Sequence, residues 1–190
     1  EIADPRGLDT SAHVQIYSNN DLISQAVAAT FGPLQRPLGF LARDLQERLL
    51  VAQGFLHSQH SSRIAVCLKK DPGTGKERLE LRAELNPSAR KHVRKLVLTL
   101  CKHARHLGAI PLPVMLKFAE PGRSFHSGGS FPMTLKPQRF QTDLLGRLPG
   151  WNRIHAVDAT VFPSIPATTI TFSAMANAHR IGCEAARQGL

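Results

Sequence analysis

The chain has 190 residues, 42% of them apolar and 20% charged, with a formal net charge of +10. These are globular values, and the length fits one domain, or one domain plus part of another. No apolar run is long enough to span a bilayer. The basic balance fits an ordinary solvated surface first and attraction to polyanions second. Three cysteines, Cys67, Cys101 and Cys183, with no Cys-x-x-Cys, argue against a disulfide framework or a structural zinc site and for buried free thiols in a reducing compartment.

Residues 1–10 are polar and turn-like, with no signal peptide in view, and the opening Glu reads as a processed product or a fragment. Val14, Ile16 and Tyr17, then Leu22, Ile23, Ala26 and Val27, predict a short strand and a helical turn. Gly32-Pro33 and Arg36-Pro37 break the chain. Leu38, Leu41, Ala42, Leu45, Leu49 and Leu50 recur at helical spacing and predict an amphipathic helix over 38–51, with Gly54 where it would stop.

Residues 63–85 carry a period of two on both sides of Asp71-Pro72-Gly73-Thr74-Gly75-Lys76. Ile64, Val66 and Leu68 alternate on one side; Leu79, Leu81, Ala83 and Leu85 alternate on the other. The pattern predicts an antiparallel hairpin with one wet face. Gly73-Thr74-Gly75-Lys76 lacks the spacing and following Ser/Thr of a phosphate loop and reads as the hairpin turn. Asn86-Pro87 is a helix start signal, with Asn as N-cap and Pro at the first helical position. Val93, Leu96, Val97, Leu100, Ala104 and Leu107 form its apolar stripe, and Gly108 is placed to end it. Its other face carries Arg90, Lys91, Arg94, Lys95, Lys102 and Arg105. Such a face can track phosphates, but no aromatic residue stands by to stack on bases, so nucleic acid is not the expected partner. Ile110-Pro111-Leu112-Pro113 reads as a rigid connector, and residues 114–118 as a short strand.

The last third holds three linked blocks. The first is Phe125-His126-Ser127-Gly128-Gly129-Ser130-Phe131-Pro132-Met133. After a loop over 134–155 comes Val157-Asp158-Ala159-Thr160-Val161-Phe162-Pro163, within a predicted buried strand over 154–162. The third opens on Ala167-Thr168-Thr169-Ile170-Thr171 and runs as a helix to Arg187, closing its motif with Ala178-His179-Arg180-Ile181. Phe172, Met175, Ala178 or His179, and Ile181 are its expected inward residues.

In order and spacing the blocks resemble the C-terminal signature of the glucose–methanol–choline (GMC) oxidoreductases, FAD-dependent alcohol oxidases and dehydrogenases. The Thr-rich turn is similar to that of choline-dehydrogenase-like members. The resemblance is strongest over residues 120–187. It implies an α+β chain: a mostly antiparallel substrate-domain sheet with helices on one face over 1–125. Residues 126–190 would then be a strand–helix unit of an FAD-binding domain whose N-terminal part is absent. No Gly-x-Gly-x-x-Gly unit for the cofactor's pyrophosphate occurs in the chain. The missing N-terminal FAD-binding region is thus an expected partner, and the chain alone is expected to be inactive.

The implied reaction is oxidation of an alcohol CH–OH group to a carbonyl with hydride transfer to FAD. His126 matches the family's active-site base, a task for which imidazole is suited. Gly128 and Gly129 would let backbone approach a flat cofactor. Asp158 and Ala159 match positions that lie against the cofactor. Thr169 and Ile170 open the last helix, whose N-terminus suits the negative charge of reduced flavin. The family's usual second His or Asn is missing from residues 164–171, and Thr168 or Thr169 could supply a hydroxyl in its place. The alcohol and the electron acceptor stay open.

The pairs His57/His60 and His103/His106 lack neighbours at ligand spacing, so no metal is expected. His57, His60, His103 and His106 read as surface or packing residues. A cytoplasmic location is the expectation. The rival function is a non-enzymatic basic binding module using residues 90–105, or an inactive remnant lacking FAD.

Overall fold

The structure, a computed structural model, describes residues 2–3, 10–18, 48–124 and 126–189. The expected helical turn at 22–27, the breaks at 32–37 and most of the expected 38–51 helix lie outside the described residues. The chain is mixed, with antiparallel strands and helices, and divides into two units. In the larger, residues 2–12 and 56–190, β1 (Ile2–Ala3) pairs antiparallel with the start of β2 (Thr10–Ser18), Ile2 opposite Ala12 and Ala3 opposite Thr10. In the smaller, residues 13–55, the rest of β2 lies beside β3 (Leu50–Leu56). The strand over Val14, Ile16 and Tyr17 is therefore present. The end of the expected 38–51 helix is corrected: Leu50 and Val51 begin β3, and Gly54 lies inside it. Burial in β3 alternates from Leu50 to Phe55, the period of a strand.

In the larger unit, β4 (Arg63–Lys70) and β5 (Glu77–Glu84) form the predicted hairpin, with Val66 opposite Leu81 and Leu68 opposite Leu79. The turn is made by one side chain: the Asp71 carboxylate accepts from the N–H groups of Gly73 (2.9 Å) and Thr74 (2.8 Å). Those two bonds hold its carboxyl below the usual carboxylate value. The wet face is the apolar one. Ile64, Val66, Leu68, Leu79 and Leu81 are 41–69% exposed, whereas Ala65, Cys67 and Glu80 on the opposite face are half-buried. Period two separates the faces of a strand but does not say which one is covered.

Helix α1 spans Ala89–His103 and tightens into a 3-10 turn over Ala104–Leu107. It starts two residues later than the Asn-Pro signal implies. The Asn86 side chain accepts from the backbone N–H and hydroxyl of Ser88, so Asn86 makes a turn and Ser88 becomes the N-cap. Leu96 and Ala104 are buried on the predicted stripe, with Val93, Val97 and Leu100 half-buried beside them; Leu107 is exposed. Gly108 ends the helix in the left-handed region at φ 65°, where a glycine carries no side-chain penalty. The expected strand over 114–118 is corrected. Pro113–Met115 is a 3-10 turn, because Pro113 fixes φ and lacks the N–H a ladder needs.

Residues 126–170 are irregular but tightly hydrogen-bonded. The expected strand over 154–162 is also corrected: Ala159–Val161 is a 3-10 turn capped by Asp158, whose carboxylate accepts from the Thr160 N–H. Helix α2 spans Thr171–Arg187, as predicted. Its inward face is as expected at Ala178 and Ile181 and corrected at Phe172 and Met175. Ile181 is 1% exposed, but Phe172 is 83% and Met175 61% exposed. Ala174, Asn177, Ala178 and Ala185 share the Ile181 face. Val161, Ala167, Leu145, Gly146 and Thr142 are also buried in this region.

Candidate active site

Blocks that are about 25 residues apart in the sequence lie side by side. Gly129 N–H donates to Ala159 O (3.0 Å), Phe131 N–H to Thr160 O (2.9 Å) and Met133 N–H to Val161 O (2.8 Å). A run of irregular backbone thus takes up the successive carbonyls of the 3-10 turn, of which Ala159 O also accepts from Phe162 N–H within the turn. Gly128 makes the approach possible. A Cβ there would stand 2.3 Å from Ala159 O and 2.7 Å from Ile165 Cδ1, so the space a side chain would need is filled by the chain's own backbone.

His126 begins this run and is half-buried. Its backbone N–H donates to Ser124 Oγ, and Ser124 Oγ–H donates to His126 O, both at 3.1 Å. Asp158 is exposed, and its carboxylate is engaged by the N–H and hydroxyl of Thr160. Asp158 thus caps the 3-10 turn. Ala159 is joined to the His126 block through Gly129. Thr168 is half-buried, Thr169 exposed, and Ile170 is the N-cap of α2. No side chain caps that helix start, which leaves first-turn N–H groups directed outward. Ile165 on the same loop is tied to Ser58 by two bonds, Ser58 N–H to Ile165 O and Ile165 N–H to Ser58 Oγ, each 2.9 Å.

Two residues that sequence reasoning passed over hold the blocks in register. Arg180 on α2 donates through Nη2 to Leu144 O (2.7 Å) and to Asn177 Oδ1 (2.9 Å), and lies 3.6 Å from Met133 Sδ. The arginine of the third block therefore reaches the methionine of the first. Asp143 organises the loop before the second block. Its carboxylate accepts from Leu145 N–H and Arg147 N–H, both at 2.9 Å, and from Arg147 Nε at 2.8 Å. Partial burial pushes that carboxyl up. The bonds from Arg147 and Leu145, with the Arg147 charge, outweigh burial and hold it below the usual carboxylate value. His155 places Nδ1 2.8 Å from Leu145 O; a carbonyl only accepts, so Nδ1 carries the proton. The readable signal for Asp143 was an Asp three residues before a Gly, the pattern of a turn.

The other histidines pack rather than converge. His57 is 7% exposed. His60 stacks on His92 with ring centres 4.0 Å apart, and His103 and His106 lie 6.0 Å apart. Among the described residues no group of three or more His, Cys, Asp or Glu could hold a metal ion. No described helix is long and apolar enough to cross a membrane. Cys67 and Cys101 are half-buried, but Cys183 is exposed, which corrects the expectation of three buried thiols. No family model, no curated protein and no solved structure matches the chain.

Proposed function

We propose that the chain is the substrate domain and the returning C-terminal part of the FAD domain of a GMC-type oxidoreductase. The complete enzyme oxidises an alcohol CH–OH group to a carbonyl. The observation that carries this reading is the hydrogen-bonded union of the signature blocks, Gly129 through Met133 along Ala159 through Val161, with Arg180 reaching Met133. Blocks retained for separate reasons would have no need to pair.

His126 is the proposed base for the hydroxyl proton, since imidazole accepts a proton near neutral pH. FAD, when bound, supplies the hydride acceptor. The uncapped start of α2 at Ile170 fits a group that gains negative charge, and Thr169 and Thr168 stand beside it with hydroxyl donors. Asp158 and Ala159 are the proposed edge of the cofactor site. Asp158 acts there by holding the 3-10 turn, because its carboxylate is already engaged by Thr160. The pyrophosphate half of the cofactor needs the proposed upstream region.

The test uses the full-length gene product, with any upstream Gly-x-Gly-x-x-Gly unit. Visible absorbance reports flavin, and a panel of alcohols is tested for bleaching it in wild type and His126→Ala. A loss of bleaching rate of about 100-fold or more in the variant supports the assignment. A yellow protein bleached equally without His126 moves the base elsewhere. A gene product with no such unit and no flavin ends the enzyme reading. The second reading, a basic binding module, then stands on α1. There Arg90, Lys91, Arg94, Lys95, Lys102 and Arg105 are exposed and make no ion pair among the described residues.

A further inference from the structure

The C-terminal half of α2 carries a pairing that the proposed alcohol chemistry does not use. Cys183 Sγ lies 3.7 Å from His179 Nε2 and 3.9 Å from Nδ1, within reach of a sulfur hydrogen bond. The two residues are one turn apart on the same face, as i and i+4 positions must be. Both are exposed. Together they line a cleft of about 660 Å³ between α2 and the loop at Leu144 and Leu145. Arg180, Glu184 and Arg187 also line it. Arg180 is held in place by Leu144 O and Asn177 Oδ1, while Arg187 reaches Glu184 only at 3.5 Å. The cleft thus presents a thiol, an adjacent base and two guanidinium groups in the open. Reactive cysteines sit in partly exposed, electropositive surroundings of this kind.

We propose that Cys183 is a nucleophilic thiol site, with His179 as its base, that forms mixed disulfides with small disulfides bearing carboxylates. His179 takes the thiol proton as the Cys183 sulfur attacks one sulfur of the disulfide. A new S–S bond forms at Cys183 and the old one breaks. The departing half leaves with the electron pair as a thiolate and recovers the proton from His179. Cys183 is oxidised and the departing half is reduced, so the exchange needs no other oxidant. Arg187 and Arg180 select the anionic disulfide by charge. This site rests on α2 and the loop at Leu144 and Leu145 and stands or falls independently of the flavin reading.

The experiment uses the full chain with Cys67→Ser and Cys101→Ser, so that one thiol remains. Its reaction is followed with 5,5′-dithiobis(2-nitrobenzoate), which carries a carboxylate on each half, and with uncharged 2-hydroxyethyl disulfide. Intact mass locates the adduct. His179→Gln, a surface change that leaves the core untouched, slows both probes about tenfold near neutral pH, and the difference closes at alkaline pH where the thiol ionises unaided. Arg187→Gln slows the anionic probe about threefold or more and leaves the uncharged one unchanged. The same chain unfolded in urea supplies the reference thiol, which reacts more slowly than the folded one. Equal rates with and without His179 at every pH, or a folded thiol no faster than the unfolded one, overturn the proposal.

Discussion

At Gly128 the absence of a side chain is a packing requirement that can be measured. A Cβ would lie 2.3 Å from Ala159 O and 2.9 Å from Ala159 C, and both are backbone atoms that move only with the 3-10 turn. Gly128→Ala should cost about 1–3 kcal/mol by overpacking, read from urea unfolding. A stability equal to wild type would mean that the two blocks are not in contact. Asp143 is a second such residue. Its carboxyl is held below the ordinary value in the folded chain, so it contributes stability above the unfolded-state pKa. That contribution is lost as the pH falls through the lowered folded value. Asp143→Asn should destabilise by about 1–2 kcal/mol at neutral pH, with the gap to wild type narrowing below about pH 4. A gap constant down to acid pH would remove the charge from the explanation. Neither role was legible from residue type alone: a Gly in a Gly-Gly pair reads as a turn or a cofactor contact, and only the neighbour from 30 residues on explains it.

Helix α2 shows where periodicity is informative and where it stops. Its bounds, Thr171–Arg187, follow from the sequence, as do the β4–β5 hairpin and the Gly108 stop of α1. Its inward face follows only at Ala178 and Ile181, because the helix carries two stripes of apolar residues. Phe172 and Met175 lie on one, while Ala174, Ala178, Ile181 and Ala185 lie on the other. Larger side chains invite the first choice, but burial falls on the small-residue stripe with Ile181. Ile181→Ala should therefore cost about 2–5 kcal/mol, and Phe172→Ala only about 0.5 kcal/mol or less. A reversed order in thermal or urea unfolding would restore the sequence-based face. The 154–162 run failed for a related reason. A short apolar run does not distinguish a buried strand from a buried turn, and Asp158, by capping Thr160, decides for the turn.

For the whole chain, the question is what its apolar surface is for. In the larger unit the hairpin face from Ile64 to Leu81, the segment from Leu107 to Phe118 and the outer stripe of α2 all expose large apolar side chains, with Ile110 at 89% and Val114 at 91%. Contiguous apolar surface of this kind marks something that is normally covered. If the chain is part of a larger flavoprotein, as proposed, the upstream region covers some of it. The 190-residue chain should then bind a hydrophobic dye such as anilinonaphthalene sulfonate more strongly, mole for mole, than the full-length gene product. Within the chain the hairpin contribution is separable. Val66→Thr with Leu81→Thr puts β-branched residues at both positions while removing apolar area from the exposed face, so dye fluorescence should fall with the circular dichroism unchanged. The two results together decide what the exposed surface means. A hairpin variant that binds dye as wild type does would place the apolar face against something within the chain. A full-length protein that binds as much dye as the chain would leave that surface without a cover, and would count against the proposed upstream region.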